Sequence, residues 1–259
     1  MPDRVPSEEV SDSASISFDA RERLLDNPIW SALSTEHLPL ALGDERARRY
    51  PSEIGPLSGI PAQTEESYEA LRGLAGPAGV VALFSLEEFR IPAGWTRVRD
   101  GELYQMARTV QGDLESLPPL RRKEGARMGH GAVLRKLTAE DAPAMVELAE
   151  LTEPGPFRLR TIELGNFYGV FHGERLAAMA GKRMHLPGMV EVSGVCTHPE
   201  ARGRGYARVL MSNVIDEIER EGKTAFLHAY TTNPAIRLYE ALGFAIREKL
   251  YLAALVNTG

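Results

Sequence analysis

The sequence predicts an α/β (α+β) protein, a mixed and mostly antiparallel sheet flanked by helices, on the strength of three patterns. Short apolar runs alternate with helical runs after residue 130. Two of the apolar runs, residues 167–171 and 176–184, join across His172-Gly173 as a hairpin. Between two later runs, Ala207, Leu210, Met211, Val214, Ile215 and Ile218 share one helical face, with Arg208, Asp216, Glu217 and Arg220 opposite.

Taken in order, residues 1–25 read as a disordered, solvating tail. They are Ser-rich, and their first twenty carry Asp3, Glu8, Glu9, Asp12 and Asp19 against Arg4 alone. Asn27-Pro28 opens a short helix through Trp30 and Leu33. A helix around residues 66–74 precedes a buried-strand candidate at 79–84. Residues 26–128 therefore fold, yet they contain no recognisable catalytic motif. Residues 116–130, with two prolines, two glycines and Arg121, Arg122, Lys123 and Arg127, read as a linker rather than a phosphate-binding patch.

Beyond the linker, residues 132–137 form a strand. Thr138 and Asp141 then supply a capping hydroxyl and a carboxylate three residues on, opening a helix through Met145, Val146 and Leu148. Residues 190–197 and 224–230 are further strands on either side of the long helix. Asn233-Pro234 starts the last helix, Gly243 ends it, and residues 244–252 close the chain as a strand.

Composition narrows the function. With 43% hydrophobic and 25% charged residues, most of the chain can bury a core. A net charge of −6 argues against a nucleic-acid partner. One cysteine, Cys196, excludes an internal disulfide and suits a reducing, cytoplasmic setting. No apolar run approaches the ~18 residues of a membrane span, so no membrane partner is expected. Oligomeric state is left open.

The most informative segment is residues 195–207. A strand ends, and a loop with Gly203 and Gly205 feeds directly into the long helix. Glycines let a ligand approach the backbone, and the first-turn amides of a helix point outward without partners. Taken alone the two glycines fit a tight strand-to-helix turn; with the helix dipole and Arg202, Arg204 and Arg208 the loop reads as a site for a phosphate or pyrophosphate. A P-loop is excluded because no Lys-Ser or Lys-Thr follows the glycines. A dinucleotide fingerprint is excluded because Arg208 stands where its third glycine would be.

Arg202-Gly203-Arg204-Gly205-Tyr206-Ala207 resembles the Arg/Gln-x-x-Gly-x-Gly/Ala signature of the GNAT superfamily of acyl-CoA-dependent N-acyltransferases. Asn233, then Leu238-Tyr239-Glu240 and Gly243-Phe244, resemble its second signature. The resemblance spans about residues 130–255 and looks closest to the branch with glycine N-acyltransferase-like C-terminal domains. It implies a GNAT-like catalytic domain at 129–259, preceded by a degenerate acyltransferase-like domain at 26–128. The implied activity is transfer of an acetyl or other short acyl group from acyl-CoA, with acetyl-CoA as cosubstrate and no metal. The acceptor would be a small-molecule amine, an amino-acid-like amine or a protein amine. The runner-up is a non-catalytic acyl-CoA-binding regulatory module.

The resemblance also assigns roles. Val195, Cys196 and Thr197 would pair with the amide-bearing arm of CoA, and Arg202, Gly203, Arg204, Gly205, Tyr206 and Ala207 would hold its pyrophosphate. Asn233 belongs to the same site and also caps its helix. Tyr239 is the candidate proton donor to the leaving thiolate. Glu191 is the candidate base, with a water chain or His228 as alternatives. Residues 154–160, including Phe157 and Arg160, would line the acceptor pocket with Tyr168 and Tyr230, and Arg158 or Arg160 would pair with an acceptor carboxylate. Cys196 reads as a small core residue, since no base accompanies it.

Overall fold

The computed structural model describes residues 18–108 and 131–259. Its centre is an eight-stranded sheet. The strands come from both halves of the chain: β4 (Val80–Ser85) and β5 (Trp95–Arg108) from the first half, β6 (Val133–Lys136) through β11 (Phe244–Asn257) from the second. The four between are β7 (Phe167–His172), β8 (Arg175–Leu186), β9 (Met189–Thr197) and β10 (Thr224–Tyr230). Spatially they run β4-β11-β5-β10-β9-β8-β7-β6. Among the described residues, β9–β10 is the one parallel ladder of this sheet; the others are antiparallel.

The order places β5 between β10 and β11. It pairs with β10 from Phe226↔Ala107 to Tyr230↔Leu103 and with β11 along its whole length. The central sheet thus crosses the domain boundary expected at residue 128 and is shared by residues 26–128 and 129–259. The sequence reading has no strand at residues 95–108. Arg97, Arg99, Asp100, Gly101 and Glu102 interrupt any apolar alternation there, and much of the first half of the strand is exposed. Pairing on both edges fixes β5, together with contacts such as Lys249 Nζ to Glu102 at 2.7 Å.

One face of the sheet is covered by α5 (Tyr206–Arg220). Leu210, Met211, Val214, Ile215 and Ile218 pack with Val190, Val192, Ala225 and Leu227, all buried. The periodicity at those positions forms this apolar face, and burying each large aliphatic side chain stabilises by roughly 1.5–3 kcal/mol. On the opposite face, α2 (Pro28–Ser34) brings Ile29 and Leu33 onto Met184, Phe226 and Leu250. A small sheet of β1 (Leu42–Gly43), β2 (Arg48–Arg49) and β3 (Ser58–Gly59) lies in the same half as α3 (Glu65–Ala75). α4 (Ala142–Thr152) follows the expected capping box: Asp141 accepts from the Thr138 amide at 2.8 Å.

The remaining differences are local. Residues 18–24 of the expected tail form α1 (Phe18–Leu24), while residues 1–17 and the basic linker at 116–130 lie outside the described residues. The last helix, α6, spans Ile236–Glu240, two residues later than its expected start. β11 continues to Asn257, past the expected end at 252, because β4 and β5 flank it there.

Candidate active site

The ladder between β9 and β10 runs from Thr224↔Met189 to Phe226↔Glu191 and stops. Beyond it the strands part. β9 carries a bulge at this point: Ser193 faces Gly181 and Cys196 faces Met179, so three steps on β9 oppose two on β8. Gly194 absorbs the distortion with φ +62°, and an added Cβ would press on Phe167 at 3.0 Å. The parted strands leave an open cleft lined by Ser193, Gly194, Val195, His228, Tyr230, Asn233 and Tyr239. Phe84 and Leu103 from the first half of the chain complete it.

The β9 edge that β10 abandons leads from this cleft to the glycine loop. Pro199–Ala201 forms a 3-10 turn, and Gly203 and Gly205 both have φ +76°. Among the described residues, apart from the chain neighbours, no heavy atom lies within 4 Å of an ideal Cβ at either glycine, so the loop presents its backbone outward. Gly205 caps α5, whose first amides have no partners within the helix. Tyr206 is buried and hydrogen-bonds His172 at 2.7 Å, which pins the helix start and leaves only its backbone for the loop. Arg202 and Arg204 reach back to the carbonyls of Thr197 and Glu200. The loop and the exposed β9 edge thus bring together Val195, Cys196, Thr197 and residues 202–207, a cradle that suits a pyrophosphate and an amide-bearing arm.

Tyr239 projects from α6 to the cleft and is 6% exposed. Burial pushes its phenol up to about 12, so it stays protonated and can donate. Asn233 lines the same cleft, and its Oδ1 accepts from the Ala235 amide at 2.8 Å, the expected cap. Burial raises the Cys196 thiol to about 11, which keeps it a core thiol among Met145, Leu148 and Phe167.

Glu191 does not fit the base role. It is 1% exposed, and its carboxylate accepts from Arg183 Nε and Nη2 at 2.7 Å each and from His228 Nδ1 at 2.8 Å. Burial alone would raise its pKa, but the Arg183 guanidinium and these hydrogen bonds outweigh that and hold it at about 2. A carboxylate so held does not take a proton near neutrality. With the folded pKa below the ordinary value of 4.5, its stabilisation is full above pH 4.5 and fades as pH falls toward about 2. Acid unfolding followed by circular dichroism is expected to run through that window; unfolding complete at pH 5 would contradict it.

Two acceptor-pocket expectations are also corrected. Tyr168 lies on the α5 face, donating to Glu217 at 2.9 Å, and does not line the cleft. Arg160 sits at the surface, paired with Glu163 at 2.7 Å, and Arg158 is exposed. Pro154, Gly155 and Pro156 do line the cleft, whereas Phe157 lies behind them, edge-on to Phe167. Tyr230 is in place, its ring against Gly101, where an added Cβ would come within 2.8 Å. The sequence reading missed Phe84, Leu103 and Gln105, which carry no motif, and Arg183, whose signal is a cation inside an apolar strand.

The FR47-like protein family matches residues 167–253, the segment that holds the parted strands, the loop and α6. No curated protein matches the chain. Among solved structures, a GCN5-related N-acetyltransferase from Kribbella flavida is 14% identical, with 90% of this chain and 96% of that one covered and a TM-score of 0.54. A tandem GNAT protein from the clavulanic acid biosynthesis pathway is 14% identical over 82% of this chain and 78% of that one, with a TM-score of 0.50. These two share the fold. A protein from Novosphingobium aromaticivorans, described as an acetyltransferase of the GNAT family, is 36% identical over 91% of this chain and 99% of that one, with a TM-score of 0.76. With that identity along nearly the whole of both chains, the chain belongs to the GNAT family of acetyltransferases.

Proposed function

We propose that the chain transfers an acetyl or other short acyl group directly from acyl-CoA to a primary amine in the cytoplasm. The observation that carries this reading is one continuous path. It runs from the bare glycine loop at α5, along the unpaired β9 edge, to the buried phenol of Tyr239. Acyl-CoA, as cosubstrate, supplies the thioester that the amine attacks.

The residues divide the work. The amides of residues 202–207 hold the pyrophosphate, and Val195–Thr197 align the amide-bearing arm as an added strand would. At the bulge, the backbone around Gly194 and Val195 turns toward the cleft and can donate to the carbonyl oxygen as negative charge develops there. Tyr239 gives its proton to the departing thiolate. Glu191 is closed off, so the amine's proton leaves to solvent through the open cleft. The branch with glycine N-acyltransferase-like C-terminal domains is the one we propose for it, on the resemblance carried by residues 202–207 and 233–244.

Gly205→Glu tests the loop. A carboxylate there, at φ +76°, meets the pyrophosphate with like charge and strains the backbone. Acetyl-CoA affinity measured by calorimetry is expected to fall at least about tenfold. Tight binding of ATP by the parent protein, with no binding of acetyl-CoA, would overturn the acyl-CoA reading.

One observation favours a second reading, a non-catalytic acyl-CoA-binding module. Both Glu191 and His228 are locked in mutual hydrogen bonds, so neither side chain is free to serve as a base. Such a module would bind acetyl-CoA equally well and turn nothing over.

A further inference from the structure

We infer that Arg183 anchors the acceptor through its unused Nη1, and that the acceptor is a compact apolar amine with a neutral carbonyl oxygen beside its amino group. This rests on the acyl-transfer reading above. Arg183 lies on β8 at the cleft, and its side chain is only 10% exposed. Nε and Nη2 are spent on Glu191, while Nη1 makes no hydrogen bond to the described residues. Nη1 borders the open cleft, so its N–H groups are free to donate a charge-assisted hydrogen bond to a ligand oxygen.

The space before Nη1 is kept open by the backbone. Gly155 stands between Pro154 and Pro156 with φ +127°, and an ideal Cβ there would lie 3.9 Å from Arg183 Nη1. Any longer side chain at 155 would occupy the place of a ligand oxygen.

The charge balance selects a neutral oxygen. Glu191 already offsets the guanidinium. His228 adds no charge, because its tautomer is fixed from β5. Gln105 Oε1 accepts from Arg247 Nη1 at 2.9 Å, and Gln105 Nε2 donates to the Leu25 carbonyl at 2.8 Å, so the amide cannot turn over. Its Nε2 therefore also donates to His228 Nε2 at 3.0 Å, and His228 Nδ1 keeps the proton that it shares with Glu191. An acceptor carboxylate would add an uncompensated charge to this neutral group, whereas an amide carbonyl would not. Phe84, Leu103 and Leu252 offer apolar walls for the acceptor body.

Three amines with one phenethyl body test this: phenylalaninamide, phenylalanine and 2-phenylethylamine, each assayed by thiol release from acetyl-CoA. The amide is expected to exceed both others in kcat/KM by roughly tenfold, the scale of one charge-assisted hydrogen bond. In Arg183→Lys, which keeps a cation for Glu191 but lacks the second nitrogen, the ratio of amide to 2-phenylethylamine should fall toward one. Gly155→Val should lower the same ratio with the Arg183–Glu191 pair intact, and covers the case that Arg183→Lys does not fold. Equal use of the three amines, preference for phenylalanine, a ratio that survives both substitutions, or acetyl-CoA binding with none of the three accepted would each overturn the inference. Absence of acetyl-CoA binding in calorimetry would instead remove the acyl-transfer reading on which it stands.

Discussion

A fragment of residues 129–259 is expected to remain unfolded, although it contains both signature motifs. β11 would lose both of its neighbours, β4 and β5, and β10 would lose the partner of residues 226–230. On the face away from α5, Met184, Leu186, Phe226 and Leu250 would lose the cover of Leu25, Ile29, Leu33 and Tyr50. Four large side chains returned to water forfeit about 6–12 kcal/mol, as much as the ~5–15 kcal/mol that holds a typical domain together. The cleft would also lose Phe84 and Leu103, and His228 would lose the amide of Gln105. Circular dichroism against temperature decides the matter. A cooperative unfolding transition in the fragment, with acetyl-CoA affinity close to that of the full chain, would show that β5 is dispensable.

The contrast between β5 and the strands around it explains what the sequence reveals. Residues 224–230 and 189–197 are apolar runs bounded by turns, and the strands match the expected spans within a residue. The helix at 206–220 is legible because its apolar spacing follows the helical period. Loop glycines at 203 and 205 show a backbone need that few other residues meet. β5 has no such signal. Its charged residues are satisfied across strands or in solvent, and its one buried polar residue, Gln105, earns its place through partners distant in sequence. For the same reason, Glu191 is legible as a carboxylate on the right strand but not as one captured by Arg183 and His228. The capture arises from a cross-strand approach between β8 and β9 and a parallel neighbour in β10. Motifs report what a segment does with its own backbone; the state of a buried charge depends on which strands arrive beside it.

Replacing Tyr239 by Phe is expected to lower kcat about 100-fold, the middle of the range for loss of a general acid. The change deletes one hydroxyl and keeps the ring, which is packed with Leu242 and Phe244 in the core beneath α5. Thermal stability should therefore move little, because the volume of the site is nearly conserved. Acetyl-CoA affinity by calorimetry should also hold, since the loop at 202–207 and the β9 edge are untouched. Burial raises the phenol to about 12, so the hydroxyl that the substitution removes is protonated throughout the neutral range. A group that acts only as the thiolate departs lowers kcat and kcat/KM together, whereas one that merely binds the donor raises KM alone. Steady-state kinetics with any accepted amine separates the two. An unchanged kcat would make Tyr239 a packing residue and pass the proton to water. If the parent protein binds acetyl-CoA yet releases no thiol with any amine offered, the binding-module reading takes the place of the enzyme.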